Sequence, residues 1–204
     1  MASEITVQTI RGPASGTNAN KILIPAGQTL DASSGFIPPA GSVIQVIQTV
    51  KTDSMAASPG ALWADVPGQG GVGVFSATIT PSSTSSRILI IVDIGGAGTT
   101  DSSIIRTRLV RGSTPIYFGD AVGNRPQSMS QFYVASAAAA HYIAQLGGTF
   151  LDSPATTGST TYKVQFGADG DGNTVYIGRT QADRNAAVYD SRVPASIILM
   201  EIAG

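Results

Sequence analysis

Apolar and polar positions alternate along most of the chain, with the period of two that is typical of strands with one buried face. Tyr162, Val164 and Phe166, for example, alternate with Lys163 and Gln165. Patterns of this kind predict strands at residues 43–50, 74–79, 104–110, 116–118, 129–134, 142–151, 162–166 and 174–177. Turn-forming residues separate these segments, so the predicted strands are short and closely spaced.

Two further segments are apolar at nearly every position. They are RILIIVDI at residues 87–94 and SIILMEI at residues 196–202. Runs that are this rich in β-branched residues are typical of strands buried on both faces. We therefore expect both strands to be covered on each side.

Helix signals are weak in this sequence. Four consecutive alanines within residues 135–145 favour a helix intrinsically, but their neighbours favour a strand, a loop and a second strand. Many short strands with turns between them predict an antiparallel arrangement. The expected fold of residues 42–204 is therefore an all-β, jelly-roll-like antiparallel β-sandwich.

Residues 1–41 are expected to form a separate N-terminal extended segment. Two short strands are predicted in it, one around Ile5 and Val7 and one at residues 21–24. Two short strands cannot bury a core of their own, and the following Pro38-Pro39 pair is typical of a stiff linker. We expect this segment to serve in attachment or oligomerisation.

The composition indicates a surface that carries few charges. Charged side chains make up only 12% of the 204 residues, against roughly 25% in ordinary globular proteins. We interpret this as surface that becomes buried in an oligomer. The formal net charge is -1, and there is no basic patch of the size that nucleic-acid binding needs, so we expect no nucleic-acid partner.

The sequence shows no signal for secretion or for insertion into a membrane. The N-terminal MASEITVQTIRG lacks the basic start and long apolar run of a signal peptide. The longest apolar run, at residues 88–92, is far too short to span a bilayer. Cysteine is absent, which excludes disulfides and thiolate metal sites. We expect synthesis in the cytoplasm.

Two glycine-rich segments have more than one interpretation. Residues 92–100, VDIGGAGTT, follow a strand as a phosphate loop would, but the third glycine and the helix of a dinucleotide site are missing, which favours a hairpin connection. The DGDGN segment from Asp169 to Asn173 opens like a calcium loop, yet Thr174 and Thr180 stand where glycine and glutamate are needed. A turn is expected there, with weak cation binding as the alternative.

Residues suited to catalysis are few. His141 is the sole histidine, and no G-x-S-x-G segment accompanies it, so the sequence supports neither a serine hydrolase nor a zinc site. Asp152, Asp183 and Asp190 are carboxylates from which a glycosidase pair would be drawn, but nothing in the sequence brings them together. We predict no catalytic residue, no cofactor, no metal and no enzymatic activity.

The arginines fall into two groups. Three lie in or at the end of one predicted strand and three in later polar segments: Arg106, Arg108, Arg111, Arg179, Arg184 and Arg192. Arginines arranged in this way can gather at a subunit interface, bind an acidic glycan or lie on a solvated sheet face. The sequence leaves these three interpretations open.

Several segments resemble the C-terminal domains of tail-fibre-like virion proteins of tailed bacteriophages, of the cyanophage and marine phage type. The first is FLDSPATTGSTTYKVQF at residues 150–166. ATITPSSTSSRIL at residues 77–89 is similar to the connector and buried strand of those domains, LVRGSTPI at residues 109–116 to their next segment, and SIILMEIA at residues 196–203 to their closing strand. In order, these segments cover most of residues 42–204.

The resemblance implies a non-enzymatic structural protein located on a virion, as a homotrimeric short tail fibre or fibre tip that contributes to host attachment. Residues 1–41 would then contact other virion proteins, and loops at residues 52–73, 119–128 and 179–192 would meet a host surface glycan or protein. A capsid decoration (cement) or head-fibre protein that clamps capsomers is the first alternative. A glycan-hydrolysing tailspike is the second.

Overall fold

The computed structural model describes residues 9–29, 37–59, 63–99, 103–134, 140–170, 173–185 and 188–204. The chain divides into two compact units, Met1–Ile37 and Pro38–Gly204. Residues 9–29 form turns without a strand, so the strand predicted at residues 21–24 is wrong. The backbone there bonds locally, with the Lys21 amide donating to the Asn18 carbonyl at 3.1 Å, instead of pairing with a neighbouring strand. The strand predicted around Ile5 and Val7 lies outside the described residues.

The described residues of the second unit form twelve strands and a 3-10 turn at Gln69–Gly71, and residues 140–141 are also in 3-10 conformation. The strands are β1 (Val43–Lys51), β2 (Met55–Ala57), β3 (Ala64–Asp65), β4 (Ser76–Ile79), β5 (Arg87–Thr99), β6 (Ser103–Arg111), β7 (Thr114–Ile116), β8 (Ser130–Val134), β9 (Ala144–Asp152), β10 (Thr160–Ala168), β11 (Val175–Ile177) and β12 (Ala195–Ile202). Each strand predicted between residues 43 and 202 has a counterpart among them, because the alternation of apolar residues marks each one separately.

The strands form two six-stranded antiparallel sheets. The first sheet has the order β1-β12-β5-β11-β2, with β9 on the free edge of β5. The second has the order β3-β10-β6-β7, with β4 paired to β10 and β8 paired to β6. The predicted all-β class is confirmed, and the arrangement agrees with a β-sandwich. Its jelly-roll connectivity stays a prediction.

One hydrophobic core joins the two sheets. Ile88, Ile90 and Ile197 enter it from the first sheet, and Tyr162 and Val164 enter it from the second, all fully buried. The predicted inward direction of Tyr162, Val164 and Phe166 is confirmed. The core is built from alternate positions of each strand, so the remaining positions point outward.

The expectation that residues 87–94 and 196–202 are covered on both faces is wrong. Ile88, Ile90, Val92 and Ile94 are buried, but Leu89 and Ile91 between them are only half-buried. The same alternation runs along β12. These strands are apolar on both sides, yet the chain covers only their inner side.

The glycine-rich segment after Ile94 continues the strand instead of forming the predicted connection. β5 runs to Thr99, pairs with β9 and β11, and has an irregular register between Gly95 and Ala97. Gly96 has a φ of 79°, which L side chains rarely adopt. The pairing on both edges leaves no open phosphate loop here.

A Gly96→Ala variant is expected to lower the free energy of unfolding by about 2 kcal/mol, the typical cost of a strained left-handed residue. A Cβ atom at this position would also lie 2.2 Å from Val193 Cγ2 and 2.5 Å from Ile143 Cγ2. Urea denaturation measures the change. Gly119→Ala is the matched control, because a Cβ atom there meets nothing within 4 Å. Equal stability of the two variants would contradict a required glycine at position 96.

A buried carboxylate fixes the connector that precedes β5. Glu201 is completely buried, and its Oε1 accepts hydrogen bonds from the Ser82 amide at 2.7 Å and the Ser82 hydroxyl at 2.6 Å. Gln45 Nε2 donates to Oε2 at 2.6 Å. Burial alone would raise the pKa of Glu201, but the hydrogen bonds from Ser82 and Gln45 hold it below its ordinary value.

Candidate ligand-binding site

The three loops proposed to meet a host surface differ in how regular their structure is. Residues 52–73 contain two short strands and the 3-10 turn, and buried Lys51 donates to Asp53 Oδ1 at 2.8 Å and to the Gly68 carbonyl at 2.9 Å. Residues 119–128 form an irregular, mostly exposed loop, which a bond from Gln127 Nε2 to the Gly119 carbonyl closes at 2.6 Å. Residues 179–192 carry the densest network of charged groups.

Asp190 is the centre of this network. Its side chain is inaccessible to solvent, although it lies in a surface loop. Oδ1 accepts a bond from the Thr180 hydroxyl at 2.8 Å and lies 2.8 Å from His141 Nδ1. Oδ2 accepts bonds from Arg184 Nε at 2.9 Å and from the Arg184 amide at 3.1 Å.

These contacts keep Asp190 ionised. The hydrogen bond from Arg184 lowers the pKa of Asp190 well below its ordinary value, against the opposing effect of burial, and bonds from His141 and Thr180 lower it further. Asp190 also has a φ of 62°. A non-glycine residue in this conformation persists only where its surroundings fix it, so the loop is built around the carboxylate.

A second carboxylate joins the other arginines of the loop. Arg192 donates to Asp183 at 2.6 to 2.7 Å, and Arg179 Nη1 lies 3.2 Å from Asp183 Oδ2. The Asp183 amide donates to the Thr180 hydroxyl at 3.2 Å, which connects this pair to Asp190. Asp183 and Asp190 hold Arg179, Arg184 and Arg192 together within one chain, and three arginines against two aspartates leave one positive charge.

An open cavity of about 420 Å³ lies beside this network, and we call it the loop cavity. Its lining residues are polar or aromatic: Asp183, Arg184, Asn185, Tyr189, Asp190, Ser191 and Arg192. The Arg184 guanidinium lies 4.7 Å from the centre of the Tyr189 ring, and Tyr189 is 58% exposed. An exposed aromatic ring beside charged hydrogen-bond donors suits a polar or anionic ligand such as a glycan.

His141 is the exposed partner of a buried aspartate. Its side chain is 38% accessible, and its ring centre lies 6.0 Å from that of Tyr189. An aspartate on Nδ1 orients an imidazole as in hydrolytic enzymes. Among the described residues, however, no hydroxyl is bonded to the imidazole, since Thr180 donates to Asp190 instead. The pair therefore anchors the loop.

The third candidate carboxylate, Asp152, lies elsewhere. It ends β9 in the first sheet and is buried, where it accepts a 2.7 Å bond from the Tyr162 hydroxyl of the second sheet. Arg111 Nη1 donates to both of its carboxylate oxygens at 2.8 Å. Asp152 therefore connects the two sheets.

Arg106 and Arg108 lie on the outer face of the second sheet, as their alternation predicted. Arg108 is 4.5 Å from the centre of the Trp63 ring, and Arg106 is 5.9 Å from it. Asp65 accepts bonds from Lys163 at 2.8 Å and from Gln165 at 2.7 Å on the same face. Burial would raise the pKa of Asp65, but these two donors lower it. The polar side chains of this face therefore already contact one another.

The proposed cation turn is described only in part, because residues 171–172 lie outside the described residues. Asp169 Oδ1 accepts bonds from Ser103 at 2.6 Å and from Asn173 at 2.8 Å. Within the described ranges, no three histidine, cysteine or acidic side chains lie together as metal ligands would. In that same part of the chain, no helix is long and apolar enough to cross a bilayer.

A scan of protein-family models and a search of curated proteins find no match to this chain. The support for a binding role of the loop cavity therefore comes from its geometry alone. Sequence analysis selected residues 179–192 for their polarity and arginines, but it missed Tyr189 and Thr180. Neither residue has a local signal, since their roles depend on contacts with Arg184 and Asp190 that only the folded loop creates.

Proposed function

We propose that the protein is a non-enzymatic structural protein of a bacteriophage virion, within a short tail fibre or fibre tip, and that it contributes to host attachment. The resemblance of residues 42–204 to tail-fibre-like virion proteins supports this proposal. So does the architecture, in which two packed sheets present ordered polar loops. The single observation that carries the attachment role is the loop cavity, held in shape by the buried Asp190 carboxylate.

Binding at the loop cavity would be polar and weak for a single copy. Its arginines are already paired with Asp183 and Asp190, so a ligand gains less from them than from free charges. Several copies on one particle would multiply such weak contacts into firm attachment. The proposal therefore includes self-association, with the homotrimer implied by the resemblance.

A capsid decoration or head-fibre protein is the second candidate. The observation that favours it is the division of the chain into two compact units, Met1–Ile37 and Pro38–Gly204, because a small first unit suits attachment to a capsid or tail protein. In that case the second unit would clamp or project from capsomers.

The location on the particle distinguishes these two candidates. Antibodies against the purified protein, with gold-labelled secondary antibodies, are applied to intact virions and imaged by electron microscopy. Label at the tail tip is the expected result. Label on the head would overturn the tail-fibre proposal in favour of capsid decoration, and label on neither would overturn both.

A tailspike that hydrolyses glycans is the remaining alternative. The His141–Asp190 pair and nearby Asp183 are the only described groups around the loop cavity that would supply it with acid–base chemistry. Release of reducing sugars from host polysaccharide by the purified protein, lost in a His141→Ala variant, would overturn the non-enzymatic proposal.

We expect a Tyr189→Ala variant to bind host cells about tenfold more weakly than the wild-type protein, in line with the loss of one exposed aromatic contact per copy. Tyr189 is the exposed ring of the loop cavity. The measurement is flow cytometry of fluorescently labelled protein on cells that adsorb the virion. Tyr133→Ala is the control, since Tyr133 is 54% exposed but lies in β8 and does not line this cavity. Equal loss in both variants would contradict a role for the loop cavity.

A further inference from the structure

The outward side of the first sheet is apolar across four adjacent strands. We call it the apolar outer face and define it by six side chains: Val46, Leu89, Ile91, Leu151, Ile198 and Met200. Val46 pairs with Met200, Met200 with Leu89, and Leu89 with Leu151, so one row of apolar residues crosses all four strands. Gln48, Ile198, Ile91 and Thr149 form the next row.

Within the described residues of the second unit, the apolar outer face is open to solvent. Val46 is 55% exposed and Leu151 is 40% exposed at its two edges. The outward side of the second sheet is different, because its corresponding positions carry Arg108, Lys163 and Gln165. The first sheet therefore has the more continuous apolar outer side, whereas on the second sheet Tyr133 is exposed beside polar and charged positions. Contiguous apolar patches of this kind mark interaction surfaces.

The size of the face fits a modest protein contact. Four strands about 4.8 Å apart and about 20 Å long give roughly 400 Å² per copy. Contact between two copies over this area would bury on the order of 800 Å² in total, which is the size of a small and weak protein contact.

The charges on the face identify the occupant. Along the outward positions of β1, β5, β9 and β12, the only charged residues are Arg87, at the start of the central strand β5, and Asp93, near its middle. Their six-residue separation places them about 20 Å apart. Asp93 accepts a hydrogen bond from Gln145, and neither Arg87 nor Asp93 forms an ion pair with any described residue.

We propose that a second copy of the chain covers the apolar outer face, packed face to face about a two-fold axis. The axis lies midway between the first sheets of the two copies, runs perpendicular to β5 and passes at the level of Ile90. This rotation reverses the strand direction, so it brings Arg87 of each copy opposite Asp93 of the other. The surface is then complementary to itself in shape, in hydrophobicity and in charge, as a two-fold interface requires.

The distance between packed sheets is compatible with both the apolar contact and the Arg87–Asp93 ion pairs. Sheets that pack face to face lie about 10 Å apart, which lets Leu89 and Ile91 of the two copies interdigitate. The same gap is within the combined reach of an arginine and an aspartate side chain. This inference is independent of the proposed virion role, and it predicts pairs of copies. A trimer formed through other surfaces would be joined in twos, which gives a particle of six copies.

Ile91→Lys tests the location of the contact. Sedimentation velocity of the full chain at a series of rising protein concentrations is expected to reach the mass of two or six copies. Ile91→Lys is expected to halve that mass. Val72→Lys is the control, because Val72 is 79% exposed but lies outside the face. A wild-type monomer, or an association unaffected by Ile91→Lys, would overturn the proposal.

Charge reversal tests the two-fold arrangement and does not depend on any loss of folding. Arg87→Asp and Asp93→Arg each place like charges opposite one another, so each variant alone is expected to associate about tenfold more weakly. A mixture of the two variants forms opposite pairs again at both contacts, and association is expected to recover. Within one chain the two residues lie beyond the screening length of about 8 Å, so recovery can arise only between copies.

The mixing experiment has clear outcomes. Recovery in the mixture, together with recovery in the Arg87→Asp/Asp93→Arg double variant, supports the two-fold contact. Absence of recovery in the mixture, or a stable particle of three copies that ignores all these changes, would overturn it.

Discussion

An Asp152→Ala variant is expected to have a free energy of unfolding about 3 kcal/mol below that of the wild-type protein, which is typical of breaking a buried ion pair from one side. The Asp152 side chain is 8% accessible and accepts hydrogen bonds from Arg111 and Tyr162. Alanine at this position would leave the fully buried Tyr162 hydroxyl without its acceptor and Arg111 without its counter-charge.

The direction of the Tyr162 hydrogen bond strengthens this expectation. Burial raises the pKa of Tyr162 far above its ordinary value, and the bond to Asp152 raises it further. The phenol therefore keeps its proton and donates it to the carboxylate at neutral pH. Arg111 is about one third accessible, so water replaces part of what it loses, and the expected effect is at the lower end of the range for buried pairs.

Urea denaturation of three variants would measure the contribution of the carboxylate. Tyr162→Phe keeps the Asp152–Arg111 pair and loses one hydrogen bond, so we expect about 1 kcal/mol. Asp120→Asn alters an exposed carboxylate and should stay within about 0.5 kcal/mol of wild type. If Asp152→Ala costs no more than Tyr162→Phe, the carboxylate does not hold the two sheets together.

The role of Asp152 shows where sequence reasoning stops. Tyr162, Val164 and Phe166 were placed correctly, because a period of two records their inward direction in the local sequence. Arg111 is 41 positions away from Asp152, and nothing local connects them. The strand, whose signal is local, was predictable, but the ionic contact between the sheets was not.

The same distinction explains the errors at the strand level. Residues 87–94 are apolar on both sides, and burial by the chain itself is the usual reason for such a pattern. Here one side is only half-buried by the described residues, and the proposed second copy would cover it. Gly95 and Gly96 look like turn residues, yet both have close neighbours on an adjacent segment, which requires glycine inside a strand.

The loop cavity was predictable only in outline. Polarity and arginine content selected residues 179–192, and the structure brings Arg179, Arg184 and Arg192 together. The arrangement depends on Asp190, whose partners include His141 from a segment 49 positions away. No local pattern in a single sequence indicates a contact between residues so far apart. The loop could therefore be predicted, but the arrangement of its side chains could not.

A Glu201→Gln variant is expected to lower the free energy of unfolding at pH 7 by about 2 kcal/mol, because an amide supplies an N–H group where a carboxylate oxygen accepts. Glu201 is completely buried, and every one of its hydrogen bonds described above comes from a donor on Ser82 or Gln45. A glutamine can satisfy only one side of this arrangement, so either Ser82 or Gln45 would face a second donor.

The acid dependence of stability provides the sharper measurement. The folded-state pKa of Glu201 lies below its ordinary value of 4.5, so its contribution is fully present above that value. This contribution is lost as the pH falls through the folded-state pKa, because the unfolded chain takes up the proton at a higher pH than the folded protein does. The stability of the wild-type protein should therefore decrease more steeply than that of Glu201→Gln between about pH 5 and about pH 2.5. This range begins just above the ordinary pKa of a glutamate and extends below it.

Neighbouring glutamines of β1 supply the matched pair of controls. Gln45→Ala removes the donor to Glu201 Oε2, so it should destabilise the protein at pH 7 and reduce the loss of stability in acid. Gln48→Ala changes an exposed residue three positions along the same strand and should alter neither quantity. Parallel pH profiles for the wild-type protein and Glu201→Gln would contradict the argument, because they would mean that the buried carboxylate takes up its proton equally in the folded and unfolded chains.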